Sequence, residues 1–505
     1  MDKRGLSRDY SKMKSLGRQL NLNIFFIVIT SLFMGLSIVV LSLRFDYSTL
    51  FIFVFGLPLG LLIFKVLPIA ISKIKNLTVQ LRWWHILWLF VFLSGLVFRT
   101  RDVETIQESS IDFWAFYRIG LMILVAFVLL EQLIIRRLIW IKSLFYGLIG
   151  LLAGYALMNM ISTLWSVYST WTLYKSIEYL TDVALIAAIV TSMESYQEFK
   201  TLFDWTWVLT GLIMASVWLG VLVWPEQAIF HGVGLVRLQI QGVLPQVSAN
   251  GVGYLGAILG IVALTRLLLQ PKHKQFYLIV FFVSMAILVL SQSRSPLTGF
   301  LVALPLVLFV SKRIGILALS AGLVMALLFL TNADNLFWKF FQRGQDPELF
   351  ASLSGRVSWW KLGWNFFKEH PFIGYGAYAG GRFIVLSKLG FTTTASIHST
   401  WLEVLLGVGL IGLQLIVGVL LGTWVILLRF VFQIKEHNLL HHLTVEAIGV
   451  LVILSVGSFF SPQFIWHPPL EFLLILGYVE FLRRNYGKII YESTARTQPL
   501  PSARW

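Results

Sequence analysis

The stretch that decides the fold runs from Ser396 to Leu428 and reads SIHSTWLEVLLGVGLIGLQLIVGVLLGTWVILL. From residue 399 onward it is almost wholly apolar, with Glu403 as its single charged residue. A helix rises 1.5 Å per residue, so about 20 such residues cross a hydrocarbon core of roughly 30 Å. Residues 399–428 therefore predict a transmembrane helix, and His398 stands at the polar edge where it begins.

The rest of the chain repeats this apolar pattern. Of its 505 residues 57% are hydrophobic, and the mean hydropathy is +0.80. We therefore predict an all-α polytopic membrane protein with about 12–14 transmembrane helices. The predicted spans are 23–42, 48–71, 84–98, 114–133, 143–163, 176–193, 203–224, 248–266, 276–292, 296–311, 314–331, 399–428, 443–461 and 469–482.

The charges indicate how these spans are oriented. With the N-terminus in the cytoplasm, the loops on that side hold 25 Lys and Arg, whereas the short loops opposite hold 6. This is the positive-inside pattern, and it predicts cytoplasmic N- and C-termini. It also accounts for most of the basic surplus, so no nucleic acid partner is expected. The chain has no cysteine, which excludes disulfides, thiolate nucleophiles and cysteine-based metal sites.

The pattern divides the chain into four parts. We predict N-terminal transmembrane helices over 1–331 (about 11 spans), a large extracytoplasmic loop with amphipathic helices over 332–397, C-terminal transmembrane helices over 398–482 (about 3 spans), and a cytoplasmic tail over 483–505. The loop holds seven Lys or Arg against four acids and is rich in aromatic residues. Such a surface suits a ligand that is anionic at one end and sugar-like at the other. An amphipathic lid resting on lipid headgroups is the alternative.

Two arginines are candidates for binding an anion. Arg294 lies between two apolar runs with hardly any loop around it, where an arginine is costly unless it snorkels to the headgroups or has an anionic partner. Arg356 begins a predicted helix with Ser354 as its N-cap and Pro371 beyond its end. On that helix Trp359, Trp360 and Trp364 would lie within a turn or two of Arg356 and add stacking surface.

His398 is the candidate for proton transfer because of its place at the loop-to-helix edge. A lone histidine is more often structural, and that interpretation stays open on this evidence. The helix that follows contains Gly407, Gly409 and Gly412. Such glycines let another helix or a lipid chain approach closely.

These residues carry a resemblance to a known family. His398-Ser399, nine residues and then Gly409-x-x-Gly412 resembles the signature of the O-antigen ligase family, in which His-Asn/Ser/Gln is followed by nine residues and Gly-x-x-Gly. The dipeptides Ser293-Arg294 and Gly355-Arg356 precede it in the family's order, so the resemblance covers about 291–413. Weaker similar features lie upstream, namely LWS at 164–166 and the series Arg237, Gly242, Pro245 and Asn250. Two departures are the number of spans, commonly about twelve in the ligases, and Leu413 and Gln414 where some ligases carry threonines.

The resemblance implies a metal-independent, inverting glycosyltransferase of the GT-C type in the bacterial inner (plasma) membrane. Its donor would be a glycan on undecaprenyl pyrophosphate, and its acceptor a hydroxyl of lipid A-core or a similar lipid or glycan, at the extracytoplasmic face. Arg294 and Arg356 would hold the pyrophosphate, with Arg237 and Arg382 as further substrate-binding residues. His398 would take the acceptor proton as general base. Membrane lipids are the other expected partners, and neither a cofactor nor a metal is expected.

Three other functions share parts of this pattern. A polymerase of O-antigen or exopolysaccharide repeat units would use the same residues with another acceptor. A transporter of polysaccharide or lipid-linked sugar would use Arg294 and Arg237 to line a path, but the sequence shows no internal repeat and no paired broken helices. Cell-wall polymerases of the shape, elongation, division and sporulation family rely on an outer-loop aspartate that we do not find.

Overall fold

The computed structural model describes residues 71–487 apart from 73, 79, 97–102, 109–111, 136–138, 232–237, 271–272, 331–332, 435–437 and 466. The α-helices in this part are α1 Trp83–Gly95, α2 Val103–Glu108, α3 Phe113–Ile134, α4 Gly147–Ile161, α5 Ser169–Ser192, α6 Tyr196–Val223, α7 Pro225–Ala228, α8 Ala249–Leu269, α9 Lys274–Leu290, α10 Arg294–Val310, α11 Ile314–Leu330, α12 Ala333–Gln342, α13 Pro347–Ala351, α14 Arg356–Glu369, α15 Thr400–Gln433, α16 Leu439–Gly457 and α17 Leu470–Arg484. Short 3-10 turns cover Trp140–Phe145 and Ser162–Leu164, and a π-helix covers Gly380–Leu386.

The protein is an all-α polytopic membrane protein, as the apolar pattern predicts. Six helices of the described part are long and apolar enough to cross a membrane, and three shorter apolar helices accompany them. Each of the twelve predicted spans that fall within the described part coincides with one helix. The predicted spans 23–42 and 48–71 (but for residue 71) and most of the tail 483–505 lie outside the described residues.

Two helices form the centre of the bundle. Helix α8 is buried almost all round, and α16 packs against it and against α10 and α15. Near one end of the pair, Arg266 donates two hydrogen bonds to Glu446, Nε to Oε2 at 2.8 Å and Nη2 to Oε1 at 2.9 Å. Near the other end, Asn250 Nδ2 donates to Ser461 Oγ at 3.1 Å. Because buried charges destabilise unless they are paired, the first contact fixes α8 against α16, and the second joins the start of α8 to the chain just beyond α16.

Two short antiparallel hairpins connect α6 and α8. The first pairs β1 (Ile229–His231) with β2 (Leu238–Ile240), and the second pairs β3 (Gly242–Val243) with β4 (Gln246–Val247). Strand β2 is tied to the end of α9, because the Gln239 side chain donates to the carbonyl of Ser291, the C-cap of that helix, at 2.8 Å.

Helix α15 is broken at Gly409, and this break was not predicted from the sequence. Gly409 has φ 64° and ψ −158° inside an otherwise helical run. This region of backbone space is open only to glycine, since a Cβ there meets the neighbouring backbone. The break frees backbone groups in the middle of an apolar helix, where each unpaired group would be costly.

A loop that follows α14, residues 371–377, satisfies these freed groups. We call it the clamp loop. The N–H groups of Tyr375 and Gly376 donate to the carbonyls of Leu406 (2.7 Å) and Gly407 (2.9 Å). In the other direction, Leu410 N–H donates to the carbonyl of Pro371 at 2.9 Å, and the next N–H of α15 donates to the next carbonyl of the loop. The clamp loop therefore takes the place of one turn of helix.

The glycines of α15 are explained by this crossing. A Cβ on Gly409 would clash with the backbone of Phe372, and a Cβ on Gly407 would come within 3.2 Å of the Cα of Ala377. Gly412 faces Val408 and the ring of Tyr155 in α4. Close approach was predicted correctly for Gly407 and Gly409, but the chain that approaches them is the protein's own loop.

Candidate functional site

The backbone of His398 has an unusual conformation that follows from the residues around it. Its φ of 58° lies in the left-handed region, which residues other than glycine seldom adopt. Its N–H donates to the Oγ of Ser396 at 3.2 Å, and Ser399 caps α15 by accepting from the N–H of Leu402. The polar residues that precede the apolar run thus form the N-terminal cap of α15, and His398 lies outside the helix with a non-helical backbone.

The imidazole of His398 is held by packing. Its ring stacks on the buried ring of Trp359, with centroids 6.0 Å apart and planes inclined by 25°. No side chain in the described part of the chain hydrogen-bonds to the imidazole nitrogens. Burial and the nearby positive charge of Arg356 lower the pKa of His398 to about 4. The ring is therefore neutral at physiological pH, and its nitrogens remain available to a substrate.

Glu403, one turn into α15, braces the residue before the histidine. Its carboxylate accepts a hydrogen bond of 2.7 Å from the N–H of Ile397. The carboxylate packs against Gly381, where a Cβ would overlap it. The indole of Trp360 donates to the carbonyl of the same Ile397 at 2.8 Å. Both backbone groups of Ile397 are thus fixed, and this constrains the turn at His398.

Arg294 begins α10 and reaches a turn that follows α12. Its Nη2 donates to the carbonyl of Gln342 at 3.2 Å and to Oε1 of Gln345 at 2.5 Å. Its guanidinium carbon lies 4.9 Å from the ring centroid of Phe350. Arg294 therefore points into segment 332–397 rather than into the bundle, which is the direction that an extended snorkelling side chain also takes.

Arg356 begins α14, where Gly355 with φ 84° occupies the N-cap position instead of the predicted Ser354. Its Nη1 donates to the carbonyl of Phe460, just beyond α16, at 3.3 Å. Burial lowers the pKa of Arg356, and the charge of Arg294 lowers it further. The two arginines are therefore close enough for their charges to repel each other.

Arg343 is a third arginine at this place, and it was not among the residues predicted from the sequence. It follows α12 with φ 54°, next to Gly344 with φ 71°. Burial, then the charges of Arg294 and Arg356, lower its pKa to about 10. Among the described residues no carboxylate pairs with any of the three arginines, so their charges are uncompensated there.

The positions of these residues at helix ends add to the positive potential. Arg294 and Arg356 are the first residues of α10 and α14, and His398 lies two residues before α15. Helix N-termini carry partial positive charge and unpaired N–H groups. The arrangement favours an anion, and a neutral imidazole stands beside it.

Two of the four predicted substrate-binding residues are thus brought together, and two are not. Arg382 is buried on the π-helix, 5.4 Å from the ring centroid of Trp171, and its charge acts on Glu403. Its neighbour Gly381 packs against the carboxylate of Glu403, which braces the histidine turn. Arg237 lies outside the described residues.

The weaker upstream features also meet this region. The indole of Trp165 in the LWS segment donates to the carbonyl of Ile373 in the clamp loop at 3.2 Å, and a Cβ on Gly376 would clash with Ser166. Asn250 accepts from the Oγ of Ser293 at 2.5 Å, next to Arg294. Segments far apart in sequence therefore position the arginines and the histidine together.

The three tryptophans of α14 were expected to add stacking surface beside Arg356, but two of them pack against the histidine turn instead. Trp359 and Trp360 hold the histidine turn through ring stacking and the bond to Ile397. Only Trp364 among them is well exposed, at 48%. Two of the three rings are therefore structural supports of the site.

The bundle of apolar helices defines a polytopic membrane protein, and the cationic site at its helix ends is one that would favour an anion. Residues 278–417, from α9 to the middle of α15, match the family model described as O-antigen ligase. The resemblance seen in His398 and Gly409-x-x-Gly412 is confirmed by this match. The match supports a membrane enzyme of the O-antigen ligase or polymerase type. A comparison with curated proteins gave no match.

Proposed function

We propose that the protein is a ligase of this type, which transfers a glycan from undecaprenyl pyrophosphate to an acceptor hydroxyl. The observation that carries the proposal is the meeting of Arg294, Arg356 and His398 at one end of the bundle, two cations beside a neutral base. A diphosphate needs charge and paired donors, and the incoming hydroxyl needs a proton acceptor. The site offers both within one group of helix ends.

The arginines would bind the pyrophosphate and stabilise it as it leaves. A guanidinium presents two parallel N–H donors to two phosphate oxygens, which a lysine cannot do. Both arginines are at least partly buried and their charges are uncompensated by carboxylates of the described chain, so an anion gains more from them than from surface cations. Because the arginines supply this charge, we propose a reaction that needs no metal.

His398 would accept the proton of the acceptor hydroxyl while the oxygen attacks the anomeric carbon. The acceptor oxygen forms a bond to this carbon as the bond to the phosphate oxygen breaks on the opposite side, so the configuration is inverted. A pKa of about 4 makes the free imidazole a weak base. Bound pyrophosphate offsets the charge of Arg356 and raises this basicity, so the base becomes effective when the donor is in place.

The surroundings suit a lipid-linked donor at a membrane surface. We propose that segment 332–397 and the site lie at the extracytoplasmic face of a bacterial inner membrane, in a GT-C-type arrangement. The exposed Trp364 of α14 and Phe372 of the clamp loop provide apolar and aromatic surface. Such rings cover sugar faces or lipid chains. The domain divisions at 331/332, 397/398 and 482/483 remain part of this proposal.

The proposal is tested with purified, detergent-solubilised protein, a lipid-linked donor and a chelator. Arg294→Lys and Arg356→Lys are each expected to lower transfer about 100- to 1000-fold, since a charged contact to the leaving group is lost in the transition state. Arg429→Lys is the matched control, because Arg429 is exposed and contacts Tyr486 near the far end of α15. Wild-type rates in both site variants, or loss of wild-type activity on chelation, contradict the mechanism.

The acceptor separates ligase from polymerase. A ligase is expected to glycosylate a lipid A-core acceptor, whereas a polymerase extends a second lipid-linked repeat unit and yields a ladder of products. Both acceptors are offered separately to the same preparation, and the products are resolved by mass. Transfer only to the second lipid-linked unit overturns the assignment as a ligase and leaves the roles of Arg294 and His398 intact.

A further inference from the structure

The turn after α12 contains Arg343, and the residues on both sides of Arg343 hydrogen-bond to the site. Gln342 and Gln345, which flank it, both accept hydrogen bonds from Arg294. The Gln345 amide also donates to Ser354 Oγ at 3.1 Å, two residues before Arg356. The turn therefore bridges the two arginines of the proposed function and holds Arg343 between them in sequence and in space.

The conformation of Arg343 is one that the surroundings must impose. An arginine with φ 54° is strained relative to glycine, and such residues persist where the neighbouring structure fixes them. Its Nε is buried and has no hydrogen-bond partner in the described part of the chain. Burying an unpaired guanidinium N–H beside two like charges is unfavourable. A bound anion would stabilise this arrangement.

We propose that Arg343 is a third phosphate-binding residue, and that it takes up the negative charge that appears on the pyrophosphate as the glycan leaves. This inference rests on the proposed function. In the donor, the diphosphate joins a lipid and a sugar and carries two negative charges on four non-bridging oxygens. Two guanidinium groups match these four oxygens in pairs.

The transfer step creates the need for a third cation. When the acceptor oxygen bonds to the anomeric carbon, the bond from that carbon to the phosphate oxygen breaks, and its electron pair stays on the oxygen. The acceptor proton goes to His398. The product undecaprenyl pyrophosphate therefore has five non-bridging oxygens and one more negative charge than the donor diphosphate. A residue that binds this additional charge stabilises the transition state and the product more than the donor.

The test compares Arg343→Gln with Lys339→Gln, which removes the same charge from an exposed position one turn earlier on α12. The affinities for undecaprenyl pyrophosphate and for the intact donor are measured in detergent, together with the single-turnover rate of transfer. We expect Arg343→Gln to weaken product binding and to lower the rate by about 10- to 100-fold each, with a much smaller effect on donor binding. Lys339→Gln is expected to behave as wild type.

Each result bears on one claim. A folded Arg343→Gln protein that binds undecaprenyl pyrophosphate as tightly as wild type overturns the inference, even if the wild type transfers glycan. Loss of product binding in this variant, with no transfer by the wild type to any hydroxyl acceptor, supports the anion site and overturns the proposed function. If Arg343→Gln does not fold, Arg343→Lys decides, because a lysine lacks the paired donors and is expected to weaken product binding.

Discussion

The carboxylate of Glu403 accepts a hydrogen bond of 2.7 Å from the backbone N–H of Ile397, which immediately precedes His398. This bond crosses the junction between segment 332–397 and α15, so the helix itself holds the turn from which the imidazole projects. A carboxylate buried here would be costly without such a donor and without the nearby charge of Arg382. Glu403 is therefore a positioning residue in the proposed reaction.

Replacing Glu403 tests this brace. Glu403→Ala leaves the buried Ile397 N–H unpaired, so we expect destabilisation by about 2 kcal/mol and a fall in kcat of at least tenfold. Glu403→Gln keeps an acceptor oxygen and is expected to retain more of both. Thermal unfolding and steady-state kinetics with separate kcat and KM check this. An unchanged kcat in a Glu403→Ala protein contradicts the positioning role.

Substitution of His398 separates the base from a structural role. Asn tolerates the left-handed backbone better than Ala does, so His398→Asn keeps the turn with little added strain. We expect His398→Asn and His398→Gln to lower transfer by about 100-fold or more while donor affinity stays close to wild type. Donor binding and turnover are measured on the same preparation. Substantial turnover by His398→Gln would end the general-base proposal.

The pH dependence follows from the lowered pKa of His398. Only the neutral imidazole accepts a proton, so a pKa of about 4 predicts that kcat/KM is flat near neutrality and falls about tenfold per pH unit once the pH drops below about 4. Bound pyrophosphate offsets the charge of Arg356, so kcat should fall at a higher pH than kcat/KM does. Profiles of both constants in detergent check this order. A kcat/KM that already declines between pH 7 and 6 is the contrary result.

Gly409 and Gly418 lie on the same helix and make a matched pair. Ala at Gly409 meets the backbone of Phe372 in a region of backbone space reserved for glycine, so we expect about 3 kcal/mol or more of destabilisation and loss of transfer. Ala at Gly418 makes only an ordinary contact of 3.6 Å with Leu151, so stability should change by less than about 1 kcal/mol. Thermal unfolding of the two variants decides. Similar midpoints of thermal unfolding for the two variants would show that the break at Gly409 is not required for stability.

The orientation of segment 332–397 is open to direct labelling. The chain has no cysteine, so single cysteines at Ser352 and Ser387 report without a background. Both are expected to react with a membrane-impermeant thiol reagent in intact spheroplasts, because the loop charges predict an extracytoplasmic position for this segment. Labelling confined to inverted membrane vesicles would reverse the orientation and move the site to the cytoplasm.

The sequence was sufficient for the helices and for part of the site. Long apolar runs have few alternatives to membrane helices, so the predicted spans coincide with helices wherever they are described. The break at Gly409 was missed because a glycine in an apolar run looks the same whether it lets a chain approach or interrupts the helix. The partner that makes it a break lies more than thirty residues earlier, in the clamp loop.

Some residues of the candidate site were predicted from the sequence and others were not, for similar reasons. Arg294 was recognisable because a charge between apolar runs is rare. Arg343 resembles the other basic residues of its segment, and only its left-handed turn and its neighbours set it apart. Glu403 resembles an ordinary acidic residue of a first helical turn. Its bond to Ile397 depends on how the preceding chain enters the helix, which local sequence does not specify.

The chain between Arg356 and His398 has one part whose length is fixed by the clamp loop and another part whose length is not. Pro371, Phe372, Tyr375 and Gly376 hydrogen-bond to the broken helix, so an inserted or deleted residue between α14 and residue 377 is expected to shift Arg356 relative to His398. Residues 387–395, by contrast, connect the π-helix to the turn at His398. The π-helix and this turn are each held by contacts of their own. Within this stretch Phe391 packs on Trp359, with ring centroids 4.9 Å apart, so only length changes after Phe391 are expected to leave the reacting groups in place.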